Sequence, residues 1–326
     1  MSASRPVGGK DYPRNYKEFI EWFDSEDACR EFLEKVRWPK GYWCVKCGGV
    51  EPWRTARHLY VCRECGHQSS VTAGTIMEKT RSPYRVWFHV MWQVAQSKNG
   101  VSALSLKNEI GFGSYETTWA WMHKLRKAMV RPEREKLKGR VEVDETFVGG
   151  LEKGVTGRET AKKSIVIVAV EYRKPKGAGR VRMARIPDTK KATLQAFVEA
   201  NVEPGSTVMT DAWFGYRGLT AAGYDHEVFN VSKLPGTADE YLPLVHRVIS
   251  LLKRWLLGTH QGSVRPYQLD YYLDEYTFRF NRRPSKSRGM LFYRLVQQVM
   301  TTEPAPYDTL VRGNSSRSPT SSTGST

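Results

Sequence analysis

Two sets of side chains in this sequence have the types and spacing to do chemistry. Asp144 ends the alternation Val141-Glu142-Val143-Asp144, and Asp211 ends the strand-like run Thr207–Asp211. His246 follows 35 positions later, on a helical pattern that also carries Lys253 and Arg254. Carboxylates at the ends of neighbouring strands, joined by a third ligand from a later helix, can hold two divalent metals beside a phosphodiester. Oxygen donors suit Mg²⁺, whereas an imidazole ligand moves the preference toward Mn²⁺. The second set is Cys44-x2-Cys47 and Cys62-x2-Cys65, separated by fourteen residues. Two such turns place four thiolates around one Zn²⁺ at roughly 2.3 Å and leave no open coordination position, so the metal is structural. A strand-end Asp standing alone is commonly a turn cap. Acids at both 142 and 144 on one strand face, and the run Ala212-Trp213-Phe214-Gly215-Tyr216 after Asp211, favour the functional reading.

These residues need elements to position them. From residue 141 the pattern predicts strands at 141–148, 164–171 and 180–186, a helix at 189–202 and a strand at 207–211. A short helix, a strand at 226–231 and helices at 239–257 and 267–281 follow. The run SIVIVAVE is almost wholly apolar, as in a strand buried on both faces. This order is that of an RNase H-like fold, an α/β mixed sheet with flanking helices. In it Asp144 and Asp211 lie on adjacent central strands, and Glu145 points to the opposite face. On helix 239–257, Val245, Ile249, Leu252 and Leu256 form the core stripe, and His246, Ser250 and Lys253 the stripe beside it. Lys253 and Arg254 are candidate phosphate ligands.

Upstream, residues 14–36 read as helix, and Cys29 lies on its apolar stripe as a core residue. Gly48 and Gly66 follow the second cysteine of each pair, where a tight turn favours a residue without Cβ. Residues 82–131 read as helical, with Ser82-Pro83 as the opening cap and breaks at Asn99-Gly100 and Gly111-Phe112-Gly113. Ser114 caps a helix carrying Lys124, Arg126 and Lys127, which could enter a DNA groove as the second helix of a helix-turn-helix. The tryptophans Trp87, Trp92, Trp119 and Trp121 read as core. The division is 1–41 leader and helix, 42–80 zinc ribbon, 81–139 helix-turn-helix-like segment, 140–300 catalytic core and 301–326 a disordered Ser/Thr-rich tail.

The chain has 326 residues and a net charge of +17, with a pI of about 9.7. That excess points to a polyanionic partner. No apolar run is long enough to span a membrane, and the first residues lack the apolar core of a signal peptide. Paired CxxC spacing fits a reducing compartment better than a disulfide framework, and the expected location is cytoplasmic and nucleoid-associated.

Taken together, WCVKCGG, YVCRECGHQSSVTAGTIM, TTWAWMHKLRKAM, VEVDETFVGG, VMTDAWFGY, LLKRWLLGTHQG and YYLDEYTFRFNRR run in order over about residues 15–300. In these motifs the chain resembles bacterial insertion-sequence transposases that join an N-terminal zinc ribbon to a DDE-type core. The resemblance implies hydrolysis at the ends of a DNA element and strand transfer into target DNA, with two divalent ions per site. It implies Asp144 and Asp211 as catalytic acids and Lys253 as the characteristic lysine. Pairing of two ends implies a homodimer or higher oligomer. One departure stands out: the wider family carries Asn or Glu ahead of the lysine, where this chain has Leu242-Pro243-Leu244-Val245-His246-Arg247. His246 aligns as the third ligand, and Glu275 is the reserve, its other reading being an ion pair with Arg279 at i+4. A catalytically degenerate DNA-binding protein, such as a repressor of the element, is the alternative function. A nuclease that cuts without strand transfer is a further one.

Overall fold

The computed structural model describes residues 5–312 apart from 132–133, 150–162, 174, 176, 231–232, 234, 236, 261 and 263. Gly150, Lys174, Lys176 and the tail after 312 therefore lie outside the described residues. The chain divides into two compact units, one of residues 1–131 and 284–307, the other of residues 132–283 and the chain after 307.

The first unit opens with α1 (Tyr16–Trp22) and α2 (Glu26–Arg37) where the sequence pattern suggests one helix. Ser25 divides them, because its hydroxyl accepts the Ala28 N–H and starts a new helix. The leader is not wholly loose: Gly9 N–H bonds the Tyr12 carbonyl at 2.8 Å, and Tyr12 is buried. Strands β1 (Pro52–Arg54), β2 (Tyr60–Cys62) and β3 (Gln68–Ser69) form an antiparallel three-stranded sheet. Next come α3 (Tyr84–Gln96), α4 (Ala103–Ile110) and α5 (Tyr115–Ala128). The cap of α3 differs from expectation. Pro83 is its N-cap and makes no side-chain bond. The Glu26 carboxylate instead accepts the Tyr84 and Arg85 N–H groups at 2.7 and 2.9 Å.

In the second unit, β4 (Arg140–Val148), β5 (Ser164–Tyr172), β6 (Ala178–Ile186), β7 (Thr207–Asp211) and β8 (Asp225–Phe229) form one mixed sheet in the order β6-β5-β4-β7-β8. The first three pair antiparallel; β7 joins β4, and β8 joins β7, in parallel. This is the RNase H-like order. Helix α6 (Lys191–Asn201) covers one face, where Val141, Val143, Ile167 and Val208 meet Leu194, Phe197 and Val198. The other face is covered by α8 (Pro243–His260), which follows the short α7 (Ala238–Tyr241), and by α9 (Leu269–Arg282). There Val166, Val168 and Val170 pack with Val245, Val248, Ile249 and Leu252. β5 thus feeds both cores, as its apolar run requires. The single helix expected over 239–257 is two helices, since Pro243 lacks the N–H needed to continue α7 and serves as a first-turn residue of α8.

Two C-terminal segments depart from their sequence position. Helix α10 (Arg288–Thr301) does not join the sheet. It packs on α2, α3 and α5 in the first unit, with Phe292 among Phe19, Phe23, Phe32, Phe88 and Trp92. Residues expected in the disordered tail form α11 (Tyr307–Arg312), where the wholly buried Leu310 supplies an anchor that composition alone did not reveal.

Candidate metal and nucleic-acid sites

The ribbon is assembled by backbone hydrogen bonds within each turn. The Gly48 N–H bonds the Cys44 carbonyl at 2.8 Å, and the Gly66 N–H bonds the Cys62 carbonyl at 2.9 Å. Both glycines sit at positive φ, 80° and 68°, the backbone region that disfavours a Cβ. The four sulfurs lie within 4.8 Å of one another. Cys44 Sγ is 3.7 Å from Cys65 Sγ, and Cys47 Sγ is 3.5 Å from Cys62 Sγ. Four thiolates about 2.3 Å from a shared ion are roughly 3.8 Å apart at tetrahedral angles, so the set fits one Zn²⁺. Cys29 is separate from this set and fully buried, and burial pushes its thiol up to about 12.

In the second unit the sheet brings Asp144 and Asp211 to one face. The β4–β7 ladder runs in register from Arg140–Thr207 to Glu142–Met209. Two residues further along each strand stand Asp144 and Asp211, both half-buried. Because side chains alternate, both share the face of Met209, which packs in the α8–α9 core. The β4–β7 ladder ends before the two aspartates; Asp211 closes β7, and β4 continues four residues beyond Asp144. Backbone N–H groups orient each acid: Glu145 N–H donates to Asp144 Oδ1 at 2.8 Å, and Trp213 N–H to Asp211 Oδ1 at 3.0 Å.

His246 approaches from α8, with Nε2 at 3.8 Å from Asp144 Oδ2. Two carboxylates and an imidazole on one face are a donor set that fits Mg²⁺ or Mn²⁺. Among the described residues, however, the cysteines are the one group of three or more such ligands drawn within 4.8 Å. Lys253 and Arg254 are exposed farther along α8, Lys253 about 10 Å beyond His246 at 1.5 Å per residue. Glu275 is fully buried and accepts a hydrogen bond from Arg279 Nε at 2.8 Å, with Nη2 of the same guanidinium 2.7 Å away as an ion pair. Its role as an ion-pair partner thus has direct geometric support.

Glu142 does work that strand patterning alone did not assign. Helix α8 begins at Pro243 without a Ser, Thr, Asp or Asn cap. The Glu142 carboxylate, from the same strand face as Asp144, accepts the Leu244 and Val245 N–H groups, each at 2.8 Å. Burial pushes this carboxyl above its ordinary value, against the pull of those two donors. The uncapped start of α8 was the available signal: orphan N–H groups buried against a sheet need an acceptor.

Behind the sheet, Glu145 points to the face opposite Asp144 and accepts the Tyr216 hydroxyl at 2.7 Å. Tyr216 is buried, and burial, followed by the Glu145 charge, raises its phenol well above the ordinary value. The aromatic run after Asp211 is therefore divided. Trp213 bonds the Thr189 carbonyl at 3.0 Å, Tyr216 turns inward and Phe214 stays 52% exposed. Gly215 permits that turn: a Cβ there would stand 2.5 Å from the Thr189 carbonyl oxygen.

The residues expected to contact DNA from α5 are not equally exposed. Arg126 is buried, Lys124 is half-buried with its ammonium pKa lowered by burial, and Lys127 Nζ donates to the carbonyls of Glu303 and Pro304. Arg126 falls on the turn filled by Met122, Leu125 and Met129, so the helix carries it inward. The open part of α5 is its first turn, Tyr115, Glu116 and Thr117. Ser114 caps that turn as expected, accepting the Thr117 N–H at 3.1 Å. Trp87 and Trp121 stack at 3.7 Å in the core. In the ribbon, Arg54 is paired with Glu34 at 2.7 Å.

Comparison with known proteins finds two domains in the chain. Residues 136–281 match the family model of the ISXO2-like transposase domain, and residues 24–68 that of the transposase zinc-ribbon domain. No curated protein matches the sequence. The matched domains imply DNA binding, and the ribbon match assigns the four-cysteine cluster to structural zinc. None of the described helices is long and apolar enough to cross a membrane.

Proposed function

From a chain that joins an ISXO2-like transposase domain to a transposase zinc ribbon, the domain pair of an insertion-sequence transposase, we propose an active enzyme that cuts at the ends of its DNA element and joins them to target DNA. The observation that supports this most is the placing of Asp144 and Asp211 at equivalent positions of adjacent strands, with His246 Nε2 3.8 Å from Asp144. In this reading Asp144, Asp211 and His246 hold two Mg²⁺ or Mn²⁺ ions. Such ions, when bound, activate the attacking water or 3′-hydroxyl and stabilise the leaving oxygen. The chain's own residues bind and orient the DNA. Lys253 holds a phosphate near the reacting bond in this reading, and Arg254 a flanking one. The first turn of α5, with Lys124 and Lys127 farther along, contacts the element end, since recognition helices read bases with their N-terminal residues. Residues 42–80 act as the ribbon, 81–139 as the end-binding segment and 140–300 as the segment containing the catalytic core. The protein works in the bacterial cytoplasm as a dimer or larger assembly on paired ends.

The test is strand transfer by the purified full chain on labelled ends of its own element, in Mg²⁺ and in Mn²⁺. Joined products that vanish with Asp144→Ala, Asp211→Ala and His246→Ala but persist with Glu275→Gln support the reading. Tight end binding without cleavage in either metal would favour the repressor function.

A further inference from the structure

Strand β4 carries three acids within four positions, Glu142, Asp144 and Glu145, and each has a different environment. Glu142 is buried on the α8 face and accepts two N–H groups from the first turn of the helix that holds His246. Glu145 is buried on the opposite face and accepts the hydroxyl of Tyr216, five positions after Asp211. Asp144 lies between them, oriented by the N–H of Glu145 itself. The strand is therefore tied in front to the segment bearing one proposed ligand and behind to the segment bearing the other.

Resting on the metal-site reading above, we propose that Glu142 and the Glu145–Tyr216 pair are positioning residues. Glu142 sets His246 against Asp144, and Tyr216 sets Asp211 against Asp144. Neither need touch substrate or metal. Three segments distant in sequence supply the ligands, and the ladder between β4 and β7 stops short of the aspartates. β4 runs on past Asp144 against β5, and β7 ends at Asp211 against β8, so the two aspartates share no β4–β7 ladder pair, and side-chain bonds add ties between their segments. A buried carboxylate deprived of its donor is costly, so these contacts resist opening. The short hydroxyl-to-carboxylate bond is of the stronger, charge-assisted kind.

The experiment measures Mn²⁺ binding by electron paramagnetic resonance on the zinc-loaded full chain without DNA, with thermal melting alongside. Asp144→Ala defines the site by abolishing the specific Mn²⁺ signal. Tyr216→Phe, which removes one hydroxyl, is expected to weaken Mn²⁺ about tenfold, and Glu142→Ala by a similar factor. Glu145→Gln and Glu142→Gln keep an acceptor oxygen and are expected to recover most of the affinity. Strand transfer should fall in Tyr216→Phe and Glu142→Ala and return in part at high Mn²⁺. Unchanged Mn²⁺ affinity in Tyr216→Phe and Glu142→Ala, whatever their melting temperatures, would overturn the positioning role and leave the metal site standing. Wild-type protein with no Asp144-dependent Mn²⁺ binding would overturn both.

Discussion

The zinc ribbon and the acidic face of the sheet gather cation ligands in opposite ways. In the ribbon, two short turns supply all four thiolates, and each turn is closed by its own backbone bonds and a positive-φ glycine. Little apolar surface surrounds them: Trp43, Val45, Val50 and Trp53 are each at least half exposed. On the sheet, the proposed ligands come from two strands and a helix, and buried cores on both faces hold those elements. The ribbon is thus expected to need its metal in order to fold, whereas the sheet has apolar cores of its own on both faces. Close spacing in sequence goes with a metal that builds structure, and wide spacing, in the proposed site, with structure that would receive one.

The sharpest break of this comparison is zinc removal. Chelation, or Cys44→Ser, should unfold the ribbon, on the scale of about 10–16 kcal/mol of apparent zinc-binding energy. Zinc content and limited proteolysis would register the loss, with the sheet unit still resistant. A ribbon that stays resistant without zinc would count against the contrast. Next in size, Asp144→Ala or Asp211→Ala should lower strand transfer by roughly a thousandfold, yet barely shift the melting temperature, as befits a fold that does not depend on its metal. A smaller effect tests the imidazole. Activity should be several-fold higher in Mn²⁺ than in Mg²⁺, and His246→Glu should reverse that preference; equal rates in both metals would remove His246 from the ligand set.

A further prediction concerns charge in the sheet. Burial alone would raise the Glu171 carboxyl, but the Arg180 guanidinium, at 2.7 Å, and the Lys138 N–H more than offset it and hold it below its ordinary value. A depressed carboxyl contributes stability above its unfolded pKa and loses it as pH falls through the folded one. Arg180→Met should therefore cost about 1–2 kcal/mol at pH 7, with the gap to wild type closing as acid protonates Glu171. A gap that stays constant into acid would contradict this. The smallest effect is expected at the start of α5, where Ser114→Ala should cost about 1 kcal/mol in chemical denaturation.

Legibility followed the range of the forces involved. The cysteine turns, the strands of the sheet and the Ser114 cap were readable because each rests on local spacing or on alternation. The sheet order followed from the succession of elements, and with it the shared face of Asp144 and Asp211. Less was readable where a distant residue decides. Glu26 takes the capping role expected of Ser82, and Glu142 caps α8 across about a hundred positions. Arg126 looked like a DNA contact by charge, but the helix turn that places Leu125 in the core takes Arg126 inward too. Helix α10 follows the catalytic segment in sequence and yet belongs to the first unit, where Phe292 meets Phe19 and Phe88.

The capping of α8 by Glu142 also bears on which changes of length this chain would tolerate. With the start of α8 fixed by a strand, the spacing between Asp211 and His246 does not itself determine where the imidazole points. Residues added between β8 and α7 would be absorbed as loop, since lengthening a loop costs little. One residue added between Val245 and His246 would instead turn the imidazole by about 100° around the helix axis. Two insertions of equal size, close together in the chain, should thus leave one protein working and the other without the imidazole proposed as its third ligand.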